Sequence, residues 1–278
     1  MKKIILFGLL FFTVFTFSQT KEKVKGSKIV KAEQKQIGHF DSLEVEDNLE
    51  IFLVKGNECA IEIEADDNLI EFVDLKILGN NLRISTSKNI TSYKKLSIRV
   101  TYTDKFNLVS AKDETNVTAL SDIVLDNITF KCYNYAKLYL NATTKNFTLM
   151  ANDKSKVELN LKSVKTAIDL SKNASIKALI STTDMIFDMY QKSSAVIEGD
   201  LNDLKIRLDN DSNFEGKKLV AKNITIETSG YSKCEINAST LININAIEKS
   251  EINLFGEPKI EIKNFKDTAI LKKKVLKP

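Results

Sequence analysis

The stretch NDKSKVELNL occupies residues 152–161, and its pattern returns as SKNASIKALI at residues 171–180 and as YQKSSAVIEG at residues 190–199. The interval is 19 residues both times. Each copy carries a small residue in its fourth place, and apolar residues follow in the sixth and eighth places. A repeat of fixed length with alternating apolar residues is typical of stacked β-strands.

The same places can be followed through eight units, which begin at residues 112, 133, 152, 171, 190, 209, 229 and 247. The fourth place is always small: Thr115, Ala136, Ser155, Ala174, Ser193, Ser212, Ser232 and Ser250. The sixth place holds Val117, Leu138, Val157, Ile176, Ala195, Phe214, Cys234 and Ile252. The eighth place holds Ala119, Leu140, Leu159, Ala178, Ile197, Gly216, Ile236 and Leu254. A second alternating set follows later in each unit, as in Phe147–Leu149–Ala151, Leu204–Ile206–Leu208 and Ile260–Ile262. Two short strands per unit are therefore expected, with the small residue at a corner.

These units predict an all-β fold, a β-solenoid with about 19 residues per coil. One coil cannot bury its apolar face alone, but stacked coils place equivalent residues about 4.8 Å apart in parallel sheets. The alternative is a sandwich or barrel of antiparallel hairpins, which also explains alternation. That alternative does not require the 19-residue return, and it favours Asn-Gly or Asp-Gly turns, which the repeat region lacks.

Residues 1–19 are predicted to be a signal peptide. Lys2 and Lys3 precede an unbroken apolar run over residues 4–17, and a polar exit follows. The run is shorter than the roughly 20 residues of a membrane span. We therefore expect an exported mature chain without a transmembrane segment, located in the periplasm, at the cell surface or in the medium.

Charge and cysteine content narrow the function classes. The formal net charge is +4 with 28% charged residues of both signs, which gives no indication of a nucleic-acid partner. Cys59, Cys132 and Cys234 are an odd number without close spacing, and the last two fall on apolar places of the repeat. They are interpreted as small core residues, not as a disulfide scaffold.

The remaining segments are assigned by their patterns. Residues 20–36 are charged and unpatterned, so they are expected to be a flexible lead. Residues 37–110 alternate without the 19-residue spacing and are expected to be capping strands, with hairpin turns at residues 56–57 and 79–81. Residues 111–265 are expected to form the repeat coils, and residues 266–278 a basic C-terminal tail.

Four short motifs resemble one known family. They are Phe40-Asp41, Asp66-Asp67-Asn68-Leu69, Gly79 before Leu82-Arg83-Ile84, and Gly256-Glu257-Pro258. In this order and spacing, over residues 37–265, the chain resembles the putative auto-transporter adhesin, head GIN domain family. The resemblance implies a right-handed single-chain β-helix exported by Bacteroidetes-type bacteria, with no catalytic activity, no cofactor and no assigned ligand.

One departure from the family concerns the corners. Family coils usually open with Ser-Gly, whereas only Ser229-Gly230 does so here. Asn and Asp tolerate left-handed backbone, but Lys172 at the equivalent place does not. Rounder or stiffer corners are therefore expected.

Catalytic and metal sites are not predicted. His39 is the only histidine and belongs to no recognisable Ser or Cys constellation, and too few ligands exist for zinc. The carboxylates that could serve a polysaccharide lyase or hydrolase lie at corners: Asp113 with Glu114, Asp153, and Asp209 with Asp211. Corner aspartates also stabilise bends by bonding the backbone.

Two functional hypotheses follow from these observations. The favoured one is a non-catalytic exported solenoid that binds an unknown glycan or protein at the cell surface through its outward faces. The other is a carbohydrate-active β-helix that uses corner carboxylates. The absence of tryptophan and the scarcity of outward aromatic residues for sugar stacking favour the first. Oligomeric state is left open.

Overall fold

The computed structural model describes residues 21–276, so the predicted signal peptide lies outside the described residues. The described residues are 66% strand and 2% helix and form a β-solenoid of about nine turns, which confirms the predicted fold class. Within residues 21–276 no helix has the length and apolar character needed to cross a bilayer.

Residues 21–102, the first part of the chain that the structure describes, contain nine strands and one short 3₁₀ helix. The strands are β1 (Lys23–Lys25), β2 (Val30–Lys35), β3 (Ser42–Val45), β4 (Glu50–Lys55), β5 (Ala60–Asp66), β6 (Val73–Leu78), β7 (Asn81–Thr86), β8 (Asn89–Thr91) and β9 (Leu96–Tyr102), and the helix spans Asp67–Phe72.

The solenoid continues through thirteen more strands. They are β10 (Leu108–Ala111), β11 (Asn116–Ala119), β12 (Ile123–Cys132), β13 (Lys137–Ala151), β14 (Lys156–Lys162), β15 (Lys165–Leu170), β16 (Ser175–Met189), β17 (Ser194–Leu208), β18 (Asn213–Thr228), β19 (Lys233–Ala246), β20 (Glu251–Phe255), β21 (Lys259–Phe265) and β22 (Ile270–Lys273).

Neighbouring coils pair in parallel with the register that the repeat predicts. Val157 lies between Leu138 and Ile176, and all three are buried. Each coil has a first arm, which follows the corner, and a second arm, which leads to the next corner. Lys156–Lys162 and Lys165–Leu170 are the two arms of one coil. Apolar columns from both arms meet inside the solenoid, where burial of each aliphatic side chain contributes roughly 1.5–3 kcal/mol.

The bend between the arms changes the phase of the alternation. In β16, Ile180 and Thr182 point inward, and then Met185 and Phe187 do, so two consecutive residues face outward between them. Buried threonines occupy this bend, and the Thr182 Oγ1 lies 2.9 Å from the Ser163 Oγ of the previous coil. The hydroxyls of Ser163, Thr166 and Thr182 satisfy one another in this way, whereas the Thr144 hydroxyl at the preceding bend is buried without a partner among the described residues.

The corners are tight turns. The fourth-place backbone N–H donates to the first-place carbonyl in most coils, for example from Ser155 to Asn152 at 3.3 Å. Every fourth-place residue is at most 1% exposed. A larger side chain there would meet the coils on either side, which explains why the place is always small.

The first coil begins earlier than the sequence pattern indicated. β3 pairs in parallel with β10, and β4 pairs in parallel with β11, so residues 42–55 form a coil stacked on residues 108–119. The remaining capping strands close this coil, because β7 pairs with β3 and β9 pairs with β4. An insertion of capping strands between the first two coils hides the 19-residue spacing.

Only one of the two predicted hairpin turns is a hairpin. β6 and β7 pair antiparallel across Gly79, whose φ is +63°. Gly56 instead connects β4 to β5, and both of these strands pair with β9 rather than with each other. At residues 56–57 the chain therefore crosses over β9, the strand that lies between β4 and β5, and does not form the predicted hairpin turn.

The predicted flexible lead and the predicted basic tail both contain paired strands. In the lead, β2 pairs antiparallel with β5, and β1 pairs in parallel with β8. In the tail, β22 pairs in parallel with β20. Edge strands can be polar because backbone hydrogen bonds on one side hold them, so their sequences need no apolar alternation.

The C-terminal end of the stack is open in the described part of the chain. Ile260 and Ile262 continue the columns of Ile242 and Ile244, as predicted. They are 42% and 53% exposed, because the residues described beyond them do not cover them.

Candidate binding face

The outward side chains of the first arm form a continuous face. The seventh place of each coil stacks in register, and this column reads Thr118, Tyr139, Glu158, Lys177, Val196, Glu215, Glu235 and Asn253. We call this surface, together with the ninth-place column beside it, the first-arm face. The regular pairing confirms that outward residues form columns as well as inward ones.

A long shallow groove runs along the first-arm face. It encloses about 630 Å³ and crosses five coils, from Thr118 to Glu198. Its walls carry Tyr139, Glu158 and Lys177. A smaller groove of about 340 Å³ lies beside it, on the other side of the ninth place. Both grooves cross the coils, so an extended molecule could contact several repeats at once.

The ninth place supplies the wall that the two grooves share. It presents Asn141, Asn160 and Leu179 in consecutive coils. The Asn160 Nδ2 donates to the Asn141 Oδ1 at 2.8 Å. This bond uses one donor and one acceptor, and the remaining polar atoms of the two amides are available to a ligand.

Apolar and aromatic groups flank these amides. Tyr139 is 39% exposed, and Leu179, the register neighbour of Asn160, is 55% exposed. The face therefore combines amide hydrogen-bonding groups with a ring and alkyl surface, a mixture common in ligand sites.

The second arm carries a separate charged cluster on its outward side. Asp169 and Asp188 are register neighbours, and Arg207 Nε donates to the Asp188 Oδ1 at 3.2 Å. Burial, and then the charge of Asp188, raises the pKa of Asp169, although Arg207 opposes the shift. The Arg207 guanidinium also lies 5.0 Å from the centre of the Tyr190 ring.

Three of the candidate corner carboxylates line one groove. Asp113, Glu114 and Asp153 share a corner groove of about 680 Å³ with Asn134 and Lys172. Asp113 links neighbouring corners, because its Oδ1 accepts from the Asn134 Nδ2 at 2.9 Å and its Oδ2 accepts from the Asp47 backbone N–H at 3.2 Å. Within the described residues no group of His, Cys, Asp and Glu is arranged to hold a metal ion.

Asp209 and Asp211, the remaining candidate carboxylates, are part of the corner turns. The Asp209 Oδ1 accepts from the Asn210 backbone N–H at 2.8 Å and from the Ser229 Oγ at 2.8 Å. Asp211 follows in the same turn with a φ of +66°. This pair is therefore part of the corner structure, as the bend interpretation predicts.

His39 belongs to a constellation that the sequence analysis missed. Its Nδ1 lies 3.8 Å from the Cys59 Sγ, and its Nε2 lies 2.5 Å from the Asp41 Oδ1. His39 and Asp41 are two residues apart, so their contact could have been predicted from the sequence. Cys59 reaches His39 only because the chain crosses over β9 at Gly56, where the sequence analysis predicted a hairpin. The interpretation that His39 has no cysteine partner is therefore wrong.

The other two cysteines lie where the repeat pattern placed them. Cys132 and Cys234 are completely buried. Burial raises the pKa of Cys132 to about 12 and also raises that of Cys234. All three cysteines are free thiols, in agreement with the predicted lack of a disulfide scaffold.

Comparison with known families and proteins gives one family match. The model described as "Putative auto-transporter adhesin, head GIN domain" matches residues 39–179 and 156–258. Together the matches span most of the chain and confirm the resemblance carried by the short motifs. No curated protein matches the chain.

Three solved structures have a similar fold. A putative adhesin from Parabacteroides merdae is 16% identical with a TM-score of 0.65, and the alignment covers 91% of this chain and 100% of that one. A putative adhesin from Parabacteroides distasonis is 15% identical with a TM-score of 0.67, over 90% and 100% of the two chains. A putative lipid binding protein from the same species is 11% identical with a TM-score of 0.64, over 91% and 98%. At these identities the likeness concerns the fold alone.

Proposed function

We propose that this chain, which belongs to the putative auto-transporter adhesin, head GIN domain family, is an exported, non-catalytic binding module. In this proposal the first-arm face holds an extended glycan chain at the cell surface. The observation that carries the proposal is the groove of about 630 Å³ that crosses five coils. A linear polymer can repeat the same contact from coil to coil, since equivalent residues recur about every 4.8 Å.

The chemistry of the face supports a polar polymer. Asn141 and Asn160 keep free amide donors and acceptors for hydroxyl groups, and the Tyr139 ring offers a surface on which a sugar can stack. Non-catalytic binding is supported by relatives that are named adhesins. The structural contacts of Asp113 and Asp209 within and between the corners agree with it.

The test begins with the full mature chain on a glycan array, beside an array of matrix proteins and a panel of lipid vesicles. Vesicles are included because one protein of similar fold is named for lipid binding. Retention of one class of linear glycans is expected. Binding only to proteins or only to lipids would contradict the glycan assignment, and release of sugar from a bound polymer would contradict the non-catalytic one.

A matched pair of variants then locates the site. Asn141→Ser with Asn160→Ser removes the amide pair of the first-arm face. The control is Asn245→Ser with Asn264→Ser, which removes a similar amide pair, 3.2 Å between Nδ2 and Oδ1, from the second arm. Loss of two ligand hydrogen bonds predicts an affinity that is lower by at least about fivefold, for the first variant only. Equal affinities of the two variants would place the site elsewhere.

A further inference from the structure

The N-terminal cap holds a cysteine, a histidine and an aspartate in a line. His39 lies in the middle, with the Cys59 Sγ 3.8 Å from its Nδ1 and the Asp41 Oδ1 2.5 Å from its Nε2. The His39 side chain is 44% exposed, and Cys59 is half-buried. A small reagent can therefore reach the group from solvent.

The carboxylate is held in place by a neighbouring loop. The Asn80 Nδ2 donates to the Asp41 Oδ2 at 2.8 Å, and the Asp41 backbone N–H donates to the Asn80 carbonyl at 2.9 Å. Asn80 lies in the β6–β7 turn, so the hairpin fixes the aspartate that faces the imidazole. Asp41 is only 23% exposed at its side chain.

This arrangement determines the state of the imidazole. A carboxylate next to Nε2 accepts a hydrogen bond, so the Nε2 carries the proton in the neutral ring. The Nδ1 is then an acceptor, and it faces the thiol. A nucleophile beside a base that is oriented by a third group is the pattern of activated nucleophiles.

We propose that Cys59 is a reactive thiol, with His39 as its base and Asp41 as the positioning residue, and that its substrate class is disulfides. Nothing in the proposed binding function requires this site. Disulfides fit because their exchange needs only that a proton be accepted and returned. An acyl transfer would also need donors for an oxyanion.

The exchange balances with the groups present. His39 Nδ1 accepts the thiol proton, and the Cys59 sulfur attacks one sulfur of the disulfide. A bond between the two sulfurs forms as the original S–S bond breaks, and the departing thiolate takes the proton from His39. Cys59 is oxidised to a mixed disulfide, and the departing half of the disulfide is reduced to a thiol.

The other thiols provide internal controls. Cys132 and Cys234 are completely buried, and their pKa values are raised, so neither is available to a reagent in the folded chain. Only Cys59 is expected to react quickly. Among ionisable groups, His39 contacts Cys59, Asp41 contacts His39 on its far side, and Glu58 precedes Cys59 in the chain.

The experiment uses dipyridyl disulfide with the full mature chain and follows the released thiopyridone between about pH 5 and pH 9. One thiol per chain is expected to react in a fast phase that Cys59→Ser abolishes. At about pH 6.5 the wild-type rate should exceed that of His39→Gln by at least about tenfold, since a positioned general base typically contributes roughly 10²- to 10⁴-fold. Asp41→Asn should lower the rate at low pH while leaving the rate at about pH 9 nearly unchanged.

Unfolding in urea is the matched control for the variants. In urea all three thiols are accessible, and the wild type and His39→Gln should react at the same rate. His39→Gln should keep the thermal midpoint of the wild type because its side chain is exposed. A folded His39→Gln chain that reacts as fast as the wild type at about pH 6.5 would overturn the proposal. So would a Cys59 that reacts no faster in the folded chain than in urea.

Discussion

Left-handed backbone at the second place of each corner is the residue-scale feature that shapes the coils. Asp113, Asn134 and Asp153 have φ values between 58° and 60° there, and Gln191 has 53°. Lys172 adopts 50° in spite of its side chain. The third place is left-handed as well in three corners, at Asn173, Lys192 and Asp211 with φ values of 64–68°, so the corners take two shapes, and the non-glycine residues bear the conformational cost.

Gln191→Gly should relieve that cost. The left-handed conformation is roughly 1–2 kcal/mol unfavourable for a residue with Cβ, and glycine loses about 0.5–1 kcal/mol through chain entropy. A net stabilisation of about 0.5–1 kcal/mol is expected from urea unfolding of the variant. Lys177→Gly is the control: this exposed residue lies in the extended first arm, and the same change should destabilise by about 0.5–1 kcal/mol. Destabilisation of similar size in both variants would contradict the strained corner.

Gly199 is a place where one coil nearly touches the next. Its φ is +125°, and a Cβ there would lie 1.9 Å from the carbonyl oxygen of Ile180. Gly199→Ala should therefore destabilise by at least about 2 kcal/mol, since strain and overlap add. Gly79→Ala is the comparison, because φ is +63° but no atom lies within 4 Å, and only about 1 kcal/mol is expected. Equal losses in urea unfolding would show that the coils are further apart than described.

At the scale of elements, a buried carboxylate joins the lead to the cap. Asp66 is completely buried and accepts backbone hydrogen bonds from Lys28, Lys94 and Lys95 at 2.9–3.1 Å. Burial alone would raise its pKa, but the amide donors of Lys95, Lys28 and Lys94 outweigh burial, and the net pKa is lowered. These bonds explain how a charged, unpatterned segment becomes ordered.

Asp66→Asn is expected to lower the urea midpoint at neutral pH, since an amide cannot accept all of these bonds. The folded-state pKa of Asp66 lies below the unfolded value of about 3.9, so its stabilisation is complete above that value and is lost as the pH falls through the folded value. The difference between wild type and variant should accordingly shrink below about pH 4. Asp104→Asn, at an 85% exposed side chain, should change the midpoint little. A difference that stays constant from neutral to acid pH would contradict the account.

The sequence predicted well those strands whose hydrogen-bonded neighbours in the sheet lie one repeat away along the chain. The 19-residue return placed Val157 between Leu138 and Ile176, because parallel stacking makes spacing in the chain equal to spacing in the fold. The coil over residues 42–55 was missed, since its next coil begins 66 residues later, from Ser42 to Leu108. A comparison at that longer interval would have found the shared alternation.

The candidate sites were only partly predictable. The outward columns follow from the repeat, because a residue's place in the unit determines which way it points. The grooves depend on the bend between arms, where the phase of alternation changes, and no single residue type marks that bend. The contact between His39 and Cys59 depends on how the chain crosses at Gly56, which is set by pairing with β9 and not by local sequence.

On the scale of the whole molecule, the solenoid is a one-dimensional stack whose two ends differ. The N-terminal end is closed by β7 and β9. At the other end, the columns finish with Ile260 and Ile262 exposed. Because each coil contacts only its neighbours, the spacing along the first-arm face should be regular over its length.

The central claim is that successive coils stack in register, and pairs of spin labels on the seventh place test it directly. In a Cys59→Ser background, one label at Tyr139→Cys is paired in turn with Glu215→Cys, Glu235→Cys and Asn253→Cys, which lie four, five and six coils away. At about 4.8 Å per coil, the account predicts distances near 19, 24 and 29 Å that increase in equal steps. Distances that fail to increase with coil number, as in a sandwich of hairpins, would contradict it.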